Sequence, residues 1–173
     1  TAYEITCRDW SSDVCSSSIK FDLIYLDGFS PQKCPQLWTI EFLSKVTENL
    51  NSQGYLITYS SSAAVRKTLR NLGLEIFTIK PSFKNRTFWS QGTVAISKFD
   101  KNKLKPNFNF EKLSLMEEEH LLTKASIPYR DQDLNSSKDD IIRRRLDEQL
   151  FSNLLSTNKW REKWGMTKLS FKS

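Results

Sequence analysis

The chain has 173 residues, of which 38% are apolar and 27% are charged, and its formal net charge is +6 at pH 7. This length suits one domain with an appendage, and a mean hydropathy of −0.52 predicts a proper core over only part of the chain. Because the sequence contains no run of about 18 apolar residues and no signal-peptide pattern, we expect a soluble, cytoplasmic protein that does not span a membrane.

The basic excess is moderate, at +2 in residues 1–100 and +4 in residues 101–173. Such an excess suits a polyanionic partner such as RNA, although many basic proteins bind no nucleic acid. The three cysteines lack Cys-x-x-Cys spacing and there is one histidine, His120, so neither a disulfide framework nor a zinc site is supported. We therefore expect no metal, and three free thiols in a reducing cytosol.

The first elements predict a sheet. Residues 3–7 alternate and favour a short strand, and the Ser-rich residues 11–18 favour a loop. The apolar run 21–26 predicts a buried central strand that ends at the Asp27–Gly28 turn. This places a carboxylate just past the carboxyl end of a buried strand, where open α/β sheets bind ligands.

Alternating helices and strands follow. Apolar spacing predicts a helix over about 35–50, with Thr39 as a later start, and residues 51–54 (NSQG) predict its stop. We then predict strands at 55–59, 74–79 and 93–97, and a Ser-capped helix at 63–72 that Gly73 closes. The basic, aromatic segment 81–91 predicts a hairpin-like excursion. This order predicts an α/β fold with a mostly parallel sheet.

The pattern changes near residue 100. Residues 101–135 show little periodicity and contain an acidic run at 117–119. Ser136–Ser137 predict the start of a helix that reaches about Leu155, with Ile142, Leu146, Leu150 and Leu154 spaced four apart. We predict two parts, an α/β portion at 1–100 and a mostly helical or irregular extension at 101–173 that wraps the core or contacts a partner.

One motif resembles a known family. The sequence LDGFSP at 26–31, followed by Lys33, Pro35 and LWT at 37–39, resembles the signature of the MnmC-type methyltransferases. The resemblance continues through 54–60, 65–69 and 73–75, and covers about residues 3–98. It implies a Rossmann-like class I methyltransferase sheet, in register with the second half of that domain. Residues 116–131 resemble the extension of stand-alone, cyanobacterial-type members.

Members of this family use S-adenosylmethionine to methylate the amine of 5-aminomethyl-2-thiouridine at the tRNA wobble position. The resemblance therefore implies a tRNA-modifying methyltransferase, with the tRNA anticodon loop as partner. In some bacteria the domain is fused to an FAD-dependent oxidase, which implies functional coupling to that oxidase or to other enzymes that form the aminomethyl group.

Asp27 is the candidate catalytic residue, because a carboxylate beside the methyl donor can orient an amine and accept its proton. The alternative is that Asp27 only ends a strand. By resemblance, Asp9 holds the adenine amino group of the cofactor, with a helix cap as the alternative, and Asp27 and Gly28 also contact the cofactor. Candidate substrate contacts are Phe29, Ser30, Pro31, Lys33, Tyr59, Ser60, Arg66 and Arg86. Further candidates for tRNA are Trp38, Arg70, Phe83, Lys84 and Trp89, each weighed against core packing or a solvated surface charge.

The glycine-rich cofactor turn of class I methyltransferases is missing, because the five glycines form no Gly-x-Gly. We expect a part of a longer protein rather than a degraded remnant, and no tight cofactor binding by this stretch alone. We also expect the strand at 21–26 to lack the neighbour that the first strand of this fold provides. Two other functions remain open: a non-catalytic RNA-binding module, and a methyltransferase for another amine.

Overall fold

The computed structural model describes residues 20–80, 91–97 and 110–166. The predicted strand at 3–7, the loop at 11–18 and residues 81–90 of the predicted excursion lie outside this part. The described residues form a five-stranded sheet in the order β1-β2-β4-β3-β5. Its strands are Phe21–Tyr25 (β1), Leu50–Thr58 (β2), Glu75–Ile79 (β3), Thr93–Ile96 (β4) and Phe110–Lys112 (β5).

The strand directions divide the sheet. β1 and β2 pair in parallel, whereas β4 is antiparallel to both β2 and β3, and β5 is antiparallel to β3. Strands β1, β2 and β3 therefore run in one direction. The prediction of a mostly parallel sheet is wrong for the described residues, because one of their four strand pairings is parallel and three are antiparallel.

The helices are Ile40–Glu48 (α1), Ala63–Asn71 (α2), Leu115–His120 (α3), Lys138–Phe151 (α4) and Thr157–Lys163 (α5). Short 3-10 turns lie at Pro35–Trp38 and Lys124–Ser126. Thr39 caps α1, because its hydroxyl accepts a hydrogen bond from the backbone N–H of Phe42, as the later start predicts. No described helix is long and apolar enough to cross a membrane.

The prediction that β1 is a buried central strand is wrong. β1 lies at the edge of the described sheet, with Leu23 45% and Tyr25 69% exposed. The apolar composition correctly predicts a strand, but it does not determine how many neighbours that strand has. Within the described residues no strand pairs with the outer edge of β1, and the expectation that its neighbour is missing stays a prediction.

Residues 51–54 also differ from expectation, since they belong to β2 rather than to a helix stop. Gly54 lies in the strand beside the irregular register between Phe21 and Leu23. A Cβ at this glycine would lie 2.9 Å from the carbonyl oxygen of Phe21 and 2.5 Å from Leu50 Cδ2. This glycine permits a close approach of two strands, one of the recognised uses of glycine inside a sheet.

The main core lies on one face of the sheet. Leu56, Ile76 and Ala95 belong to the same buried cluster as apolar residues of α1 and α2. Successive side chains along a strand point to opposite faces of the sheet. Phe77 and Val94, which are next to Ile76 and Ala95, therefore lie on the other face, where they form a smaller buried cluster with Ile96. Helices α1 and α2 therefore pack against one face of the sheet, and the smaller cluster buries part of the other face.

The described part of 101–173 packs against this core. The sequence of residues 101–135 shows little periodicity, yet their described part contains the helix α3 and also the strand β5, which joins the sheet and is not expected in a mostly helical or irregular extension. The helix α3 begins with a capping box, in which Ser114 and Glu117 exchange hydrogen bonds. This reciprocal cap explains how the acidic run 117–119 starts a helix.

The helix α4 is capped by Ser137, as predicted, but it ends at Phe151 rather than near Leu155 and packs through an unpredicted residue. Ile141 is fully buried, whereas Leu146 and Leu150 on the predicted apolar stripe are exposed. The spacing of four residues therefore correctly predicts a helix without indicating the face that meets the core.

His120 makes the stability depend on pH. Its ring stacks on Trp160 at a centroid distance of 4.1 Å. Burial, helped by the positive charges of Arg66 and Arg161, lowers the pKa of His120 to about 4 from an ordinary value near 6.5. The native state therefore favours the neutral ring. Stabilisation is complete above pH 6.5 and is lost as the pH falls from 6.5 through 4.

We expect this group to contribute on the order of 2 kcal/mol to the fall in unfolding free energy over that range, after allowing for its partial exposure. His120→Phe keeps an aromatic ring against Trp160 and should remove this part of the acid sensitivity. Thermal melts by circular dichroism from pH 7.5 to 4 provide the measurement. Equal acid sensitivity in the variant and the unmodified protein would contradict this assignment.

Candidate active site

The candidate site lies at the carboxyl ends of the parallel strands β1 and β2. The backbone N–H of Leu26 donates to the carbonyl of Ile57 at 2.9 Å, which continues the pairing one residue past β1. Asp27 follows Leu26 after β1, and Tyr59 follows the last residue of β2. Both residues are exposed. The structure therefore brings the two predicted segments, 26–31 and 59–60, to one edge of the sheet, where α/β folds bind ligands.

A tyrosine connects the two strand ends. The hydroxyl of Tyr59 donates a hydrogen bond to the carbonyl of Gly28 at 2.7 Å. Burial raises the pKa of Tyr59, and the negative charge of Asp27 raises it further. The Asp27 carboxylate is therefore close enough to the phenol to act on it electrostatically.

A buried tryptophan holds the next residue of the same loop. The indole Nε1 of Trp38 donates to the carbonyl of Phe29 at 2.7 Å, and its ring meets that of Tyr59 edge-on at 6.3 Å. The carbonyls of Gly28 and Phe29 are thus both held by aromatic donors, while the Phe29 ring is 73% exposed. Trp38 itself is fully buried, so it belongs to the core and not to an RNA-binding surface.

The rest of the loop is a tight turn. The carbonyl of Ser30 accepts hydrogen bonds from the backbone N–H groups of Lys33 and Cys34, at 2.8 and 3.0 Å. Pro31 is buried, and Lys33 is exposed. A Cβ at Gly28 would lie 2.6 Å from Leu37 Cδ1, so the loop passes close to the core at that residue.

Ser60 forms a buried corner beside Tyr59. Its N–H donates to the hydroxyl of Thr58 at 3.2 Å, and its carbonyl accepts from the hydroxyl of Thr93 at 2.6 Å. Its own hydroxyl accepts from the N–H of Ser62 at 3.4 Å, just before α2. The hydrogen bonds of Ser60 therefore connect β2, β4 and the start of α2.

The structure does not bring Arg66 to this site. Its guanidinium is 2% exposed and pairs with Glu117 at 2.8 Å. It also donates to Thr93, Thr78 and the carbonyl of Gly92, at 2.8, 3.3 and 3.1 Å. Burial lowers the pKa of Arg66. Burial would raise the pKa of Glu117, but hydrogen bonds from Ser114 and Arg66 hold it below its usual value.

The remaining candidates are distributed as follows. Arg70 pairs through two nitrogens with Glu118, at 2.7 and 2.8 Å, so part of its charge is already compensated. Asp9, Phe83, Lys84, Arg86 and Trp89 lie outside the described residues. Sequence reasoning missed Thr93 and Glu117, because no local pattern indicates that these residues meet Ser60 and Arg66.

The site therefore combines an exposed carboxylate, a phenol held against the backbone and an exposed aromatic ring on a braced loop. This arrangement can accept a proton from a bound amine and offers a face on which a nucleobase can stack. Within residues 20–80, 91–97 and 110–166, no group of three or more His, Cys, Asp or Glu side chains could hold a metal ion.

Comparison with known proteins identifies the family of the chain. The model of a family described as S-adenosyl-L-methionine-dependent methyltransferase matches residues 1–94, more than half of the chain. The chain belongs to this methyltransferase family. S-Adenosyl-L-methionine is accordingly its cofactor class, as the resemblance predicted.

The relatives of this methyltransferase confirm the MnmC-type resemblance. A Campylobacter hominis protein named tRNA 5-methylaminomethyl-2-thiouridine biosynthesis bifunctional protein MnmC is 39% identical over 54 residues, which cover 31% of the chain and 8% of the relative. A Ralstonia nicotianae protein of the same name is 40% identical over 55 residues, or 32% of the chain and 8% of the relative. An uncharacterized protein of Methanocaldococcus jannaschii is 29% identical over 150 residues, which cover 85% of the chain and 39% of that protein.

A solved structure extends the similarity to the fold. The crystal structure of MnmC2 from Aquifex aeolicus matches this methyltransferase with a TM-score of 0.64 and 30% sequence identity, over 77% of the chain and 39% of the MnmC2 chain. This match supports the Rossmann-like α/β fold predicted from the signature. The methyltransferase chain thus spans well under half the length of the relatives that it matches.

Proposed function

We propose that this methyltransferase transfers a methyl group to the aminomethyl group of 5-aminomethyl-2-thiouridine at the wobble position of tRNA. The observation that carries the proposal is the exposed Asp27 carboxylate, which follows β1 and lies beside Tyr59 and Phe29. Relatives whose names refer to 5-methylaminomethyl-2-thiouridine biosynthesis in tRNA support the choice of substrate.

The charge of the Asp27 loop is complementary to the sulfonium group of the cofactor. A sulfonium carries positive charge, and Asp27 offers an exposed negative charge at the edge of the sheet. Gly28 has no side chain, which lets the backbone after Asp27 pack against Leu37. We propose that these two residues contact S-adenosylmethionine and that Asp9 holds its adenine amino group. When bound, the cofactor supplies an electrophilic methyl group.

Asp27 then acts on the amine. A primary alkylamine is protonated at neutral pH and becomes a nucleophile only after it loses a proton. The Asp27 carboxylate accepts a hydrogen bond from this ammonium group, orients its nitrogen and receives the proton. Because Asp27 is exposed, the proton passes on to solvent. The residue therefore acts as a positioning group and as a general base.

The exposed side chains of the loop receive the nucleotide. Phe29 packs on the flipped base and Lys33 meets a phosphate, while Ser30 and Pro31 line the pocket through their backbone. On the second strand, Tyr59 and the corner at Ser60 form the opposite wall. Arg86 remains a proposed phosphate contact, whereas the buried Arg66 is assigned to the core.

Phe29→Ala should raise the KM for tRNA by about tenfold, because stacking of one base contributes about 1–3 kcal/mol. The melting temperature should change little, since the ring is 73% exposed. Phe151→Ala provides a matched control, as that ring is 82% exposed at the end of α4, far along the chain from the site. Steady-state kinetics on both variants make the comparison. Equal effects of the two substitutions would remove Phe29 from the binding site.

The larger organisation is part of the same proposal. We assign residues 1–100 to the methyltransferase portion and residues 101–173 to an extension of it. We propose that the protein acts in the cytoplasm, on the product of an FAD-dependent oxidase or of another enzyme that forms the aminomethyl group.

A transfer assay tests the function directly. The full-length protein is incubated with methyl-labelled S-adenosylmethionine and tRNA that carries the aminomethyl precursor, and the labelled nucleoside is identified by chromatography. We expect label in 5-methylaminomethyl-2-thiouridine and none with tRNA that lacks the precursor. Salt-sensitive tRNA binding without any heat from the cofactor would instead indicate a non-catalytic RNA-binding module. Unchanged tRNA nucleosides in cells without the gene would indicate another amine substrate.

A further inference from the structure

We propose that Glu117, Arg66 and Thr93 form a positioning chain, a run of buried hydrogen bonds that holds the corner at Tyr59–Ser60 and thereby the Asp27–Gly28 loop. None of the three residues touches the substrate in this proposal, so each is a positioning residue. The inference rests on the proposed function for its kinetic readout, and a second readout is independent of that function.

The first link runs from α3 to α2. Oε1 of Glu117 accepts from Nη1 of Arg66 at 2.8 Å, and Oε2 of Glu117 accepts from the N–H and the hydroxyl of Ser114, both at 2.9 Å. Both carboxylate oxygens are therefore engaged. This fixes the carboxylate, and the carboxylate in turn fixes the buried guanidinium.

The second link runs from α2 to the corner. Nε of Arg66 donates to the hydroxyl oxygen of Thr93 at 2.8 Å, and this hydroxyl donates to the carbonyl of Ser60 at 2.6 Å. A hydroxyl has one hydrogen. Because Arg66 occupies an acceptor position on Thr93, the single hydrogen points to Ser60. The guanidinium thus selects the hydroxyl orientation that holds the corner.

A backbone contact strengthens the same link. Nη2 of Arg66 donates to the carbonyl of Gly92 at 3.1 Å. A Cβ at Gly92 would lie 2.4 Å from the carbonyl oxygen of Thr58 and 3.1 Å from the Cα of Tyr59. The Gly92 backbone is therefore pressed against the end of β2, and Arg66 holds it there.

The last link reaches the loop that carries the carboxylate. Tyr59 adjoins Ser60 and donates its hydroxyl to the carbonyl of Gly28 at 2.7 Å, one residue after Asp27. Movement of the corner would shift the phenol and release the Gly28 carbonyl. Because transfer depends on geometry near the reacting atoms, a displacement of about 1 Å at Asp27 is enough to lower the rate strongly.

Thr78 provides a matched control, because it has the same kind of contacts without the connection to the site. Its hydroxyl accepts from Nη2 of Arg66 at 3.3 Å and donates to Oε1 of Glu117 at 2.9 Å. Both Thr78 and Thr93 are buried. Replacing either threonine by valine removes one hydroxyl that forms a hydrogen bond with the Arg66–Glu117 ion pair. Of the two hydroxyls, only that of Thr93 also bonds to Ser60.

The experiment compares Thr93→Val, Thr93→Ser and Thr78→Val in the full-length protein. The first readout is kcat/KM for methyl transfer to precursor tRNA. The second is the pKa of Tyr59, measured by NMR on protein with 13C-labelled tyrosine and assigned with Tyr59→Phe. We expect Thr93→Val to lower kcat/KM about tenfold and to shift the pKa of Tyr59 toward its ordinary value near 10. Thr93→Ser should restore both kcat/KM and the pKa of Tyr59. Thr78→Val should leave kcat/KM within about twofold and the pKa of Tyr59 within about 0.2 pH units, which is the usual precision of such a titration.

The outcomes separate the two proposals. If the unmodified protein transfers no methyl group, the proposed function fails, and the Tyr59 titration still tests the positioning chain. An unchanged Tyr59 titration in Thr93→Val overturns the inference, as do equal effects of Thr93→Val and Thr78→Val. A serine variant that behaves like the valine variant also overturns it, because the hydroxyl would then not be the group that matters.

Discussion

Asp27→Asn should lower kcat/KM for methyl transfer by about 10²–10⁴-fold, the usual contribution of a general base. The substitution keeps the shape of the side chain but removes the charge that accepts the proton from the ammonium group. Asp27 is exposed, and its backbone is held by Leu26 and by the carbonyl contact at Gly28, so the fold should remain intact. The transfer assay with labelled cofactor measures the loss.

Asp22→Asn is the matched control for this prediction. Asp22 is an exposed carboxylate on β1, five residues before Asp27, and it accepts a hydrogen bond from the side chain of Asn51 at 2.5 Å. Its loss should leave kcat/KM within about threefold, which allows for a small long-range electrostatic effect. Activity of Asp27→Asn close to that of the control would show that proton transfer does not depend on Asp27.

The second large effect concerns stability. Glu117→Ala should reduce the free energy of unfolding by about 3–5 kcal/mol, because it leaves the buried Arg66 guanidinium without its carboxylate. The double replacement Arg66→Met with Glu117→Leu removes both charges at similar volume. We expect it to recover most of the stability, since a well-packed apolar pair can replace a buried ion pair. Urea unfolding followed by circular dichroism gives the three free energies.

The neighbouring pair provides a control within the same helix. Glu118 pairs with Arg70, and both side chains are more than a third exposed. Glu118→Ala should therefore cost at most about 1 kcal/mol, the usual worth of an exposed pair. An equal cost for the two alanine variants would mean that the burial of Arg66 does not determine the energy.

Much of the fold follows from local sequence patterns. The apolar runs at 21–26, 74–79 and 93–97 correspond to β1, β3 and β4, and the predicted helix at 63–72 corresponds to α2. These segments have clear ends, such as Gly73 with its φ of +89°, so both type and extent could be predicted. The prediction of a helix stop at residues 51–54 was wrong because glycine and asparagine are typical of turns, whereas glycine also occurs where two strands approach closely.

Pairing between distant segments could not be predicted in the same way. The edge position of β1 depends on which strands lie beside it, and a single sequence carries no signal for that. At the site, the motif indicated the Asp27 loop, whose catalytic role stays a prediction. It did not indicate that Trp38 and Tyr59 hold the loop through backbone carbonyls, because such bonds depend on the placement of the main chain.

Arg66 illustrates the difference between a residue type and its surroundings. A basic residue on an amphipathic helix is usually exposed, which made an RNA contact a reasonable prediction. Its burial depends on Glu117, and that carboxylate lies in a segment whose sequence showed little periodicity. The prediction for Arg66 therefore required information that no window around α2 contains.

The distance along the chain between Arg66 and Glu117, 51 residues, also bears on how the protein is made. Synthesis proceeds from the amino terminus at about 5–20 residues per second, so α2 emerges from the ribosome seconds before its carboxylate partner. During that interval we expect the guanidinium to stay in water, so that α2 does not dock fully on the sheet. The final closure of the core therefore waits for α3, and a chain that stops before Glu117 should remain a substrate for chaperones and proteases.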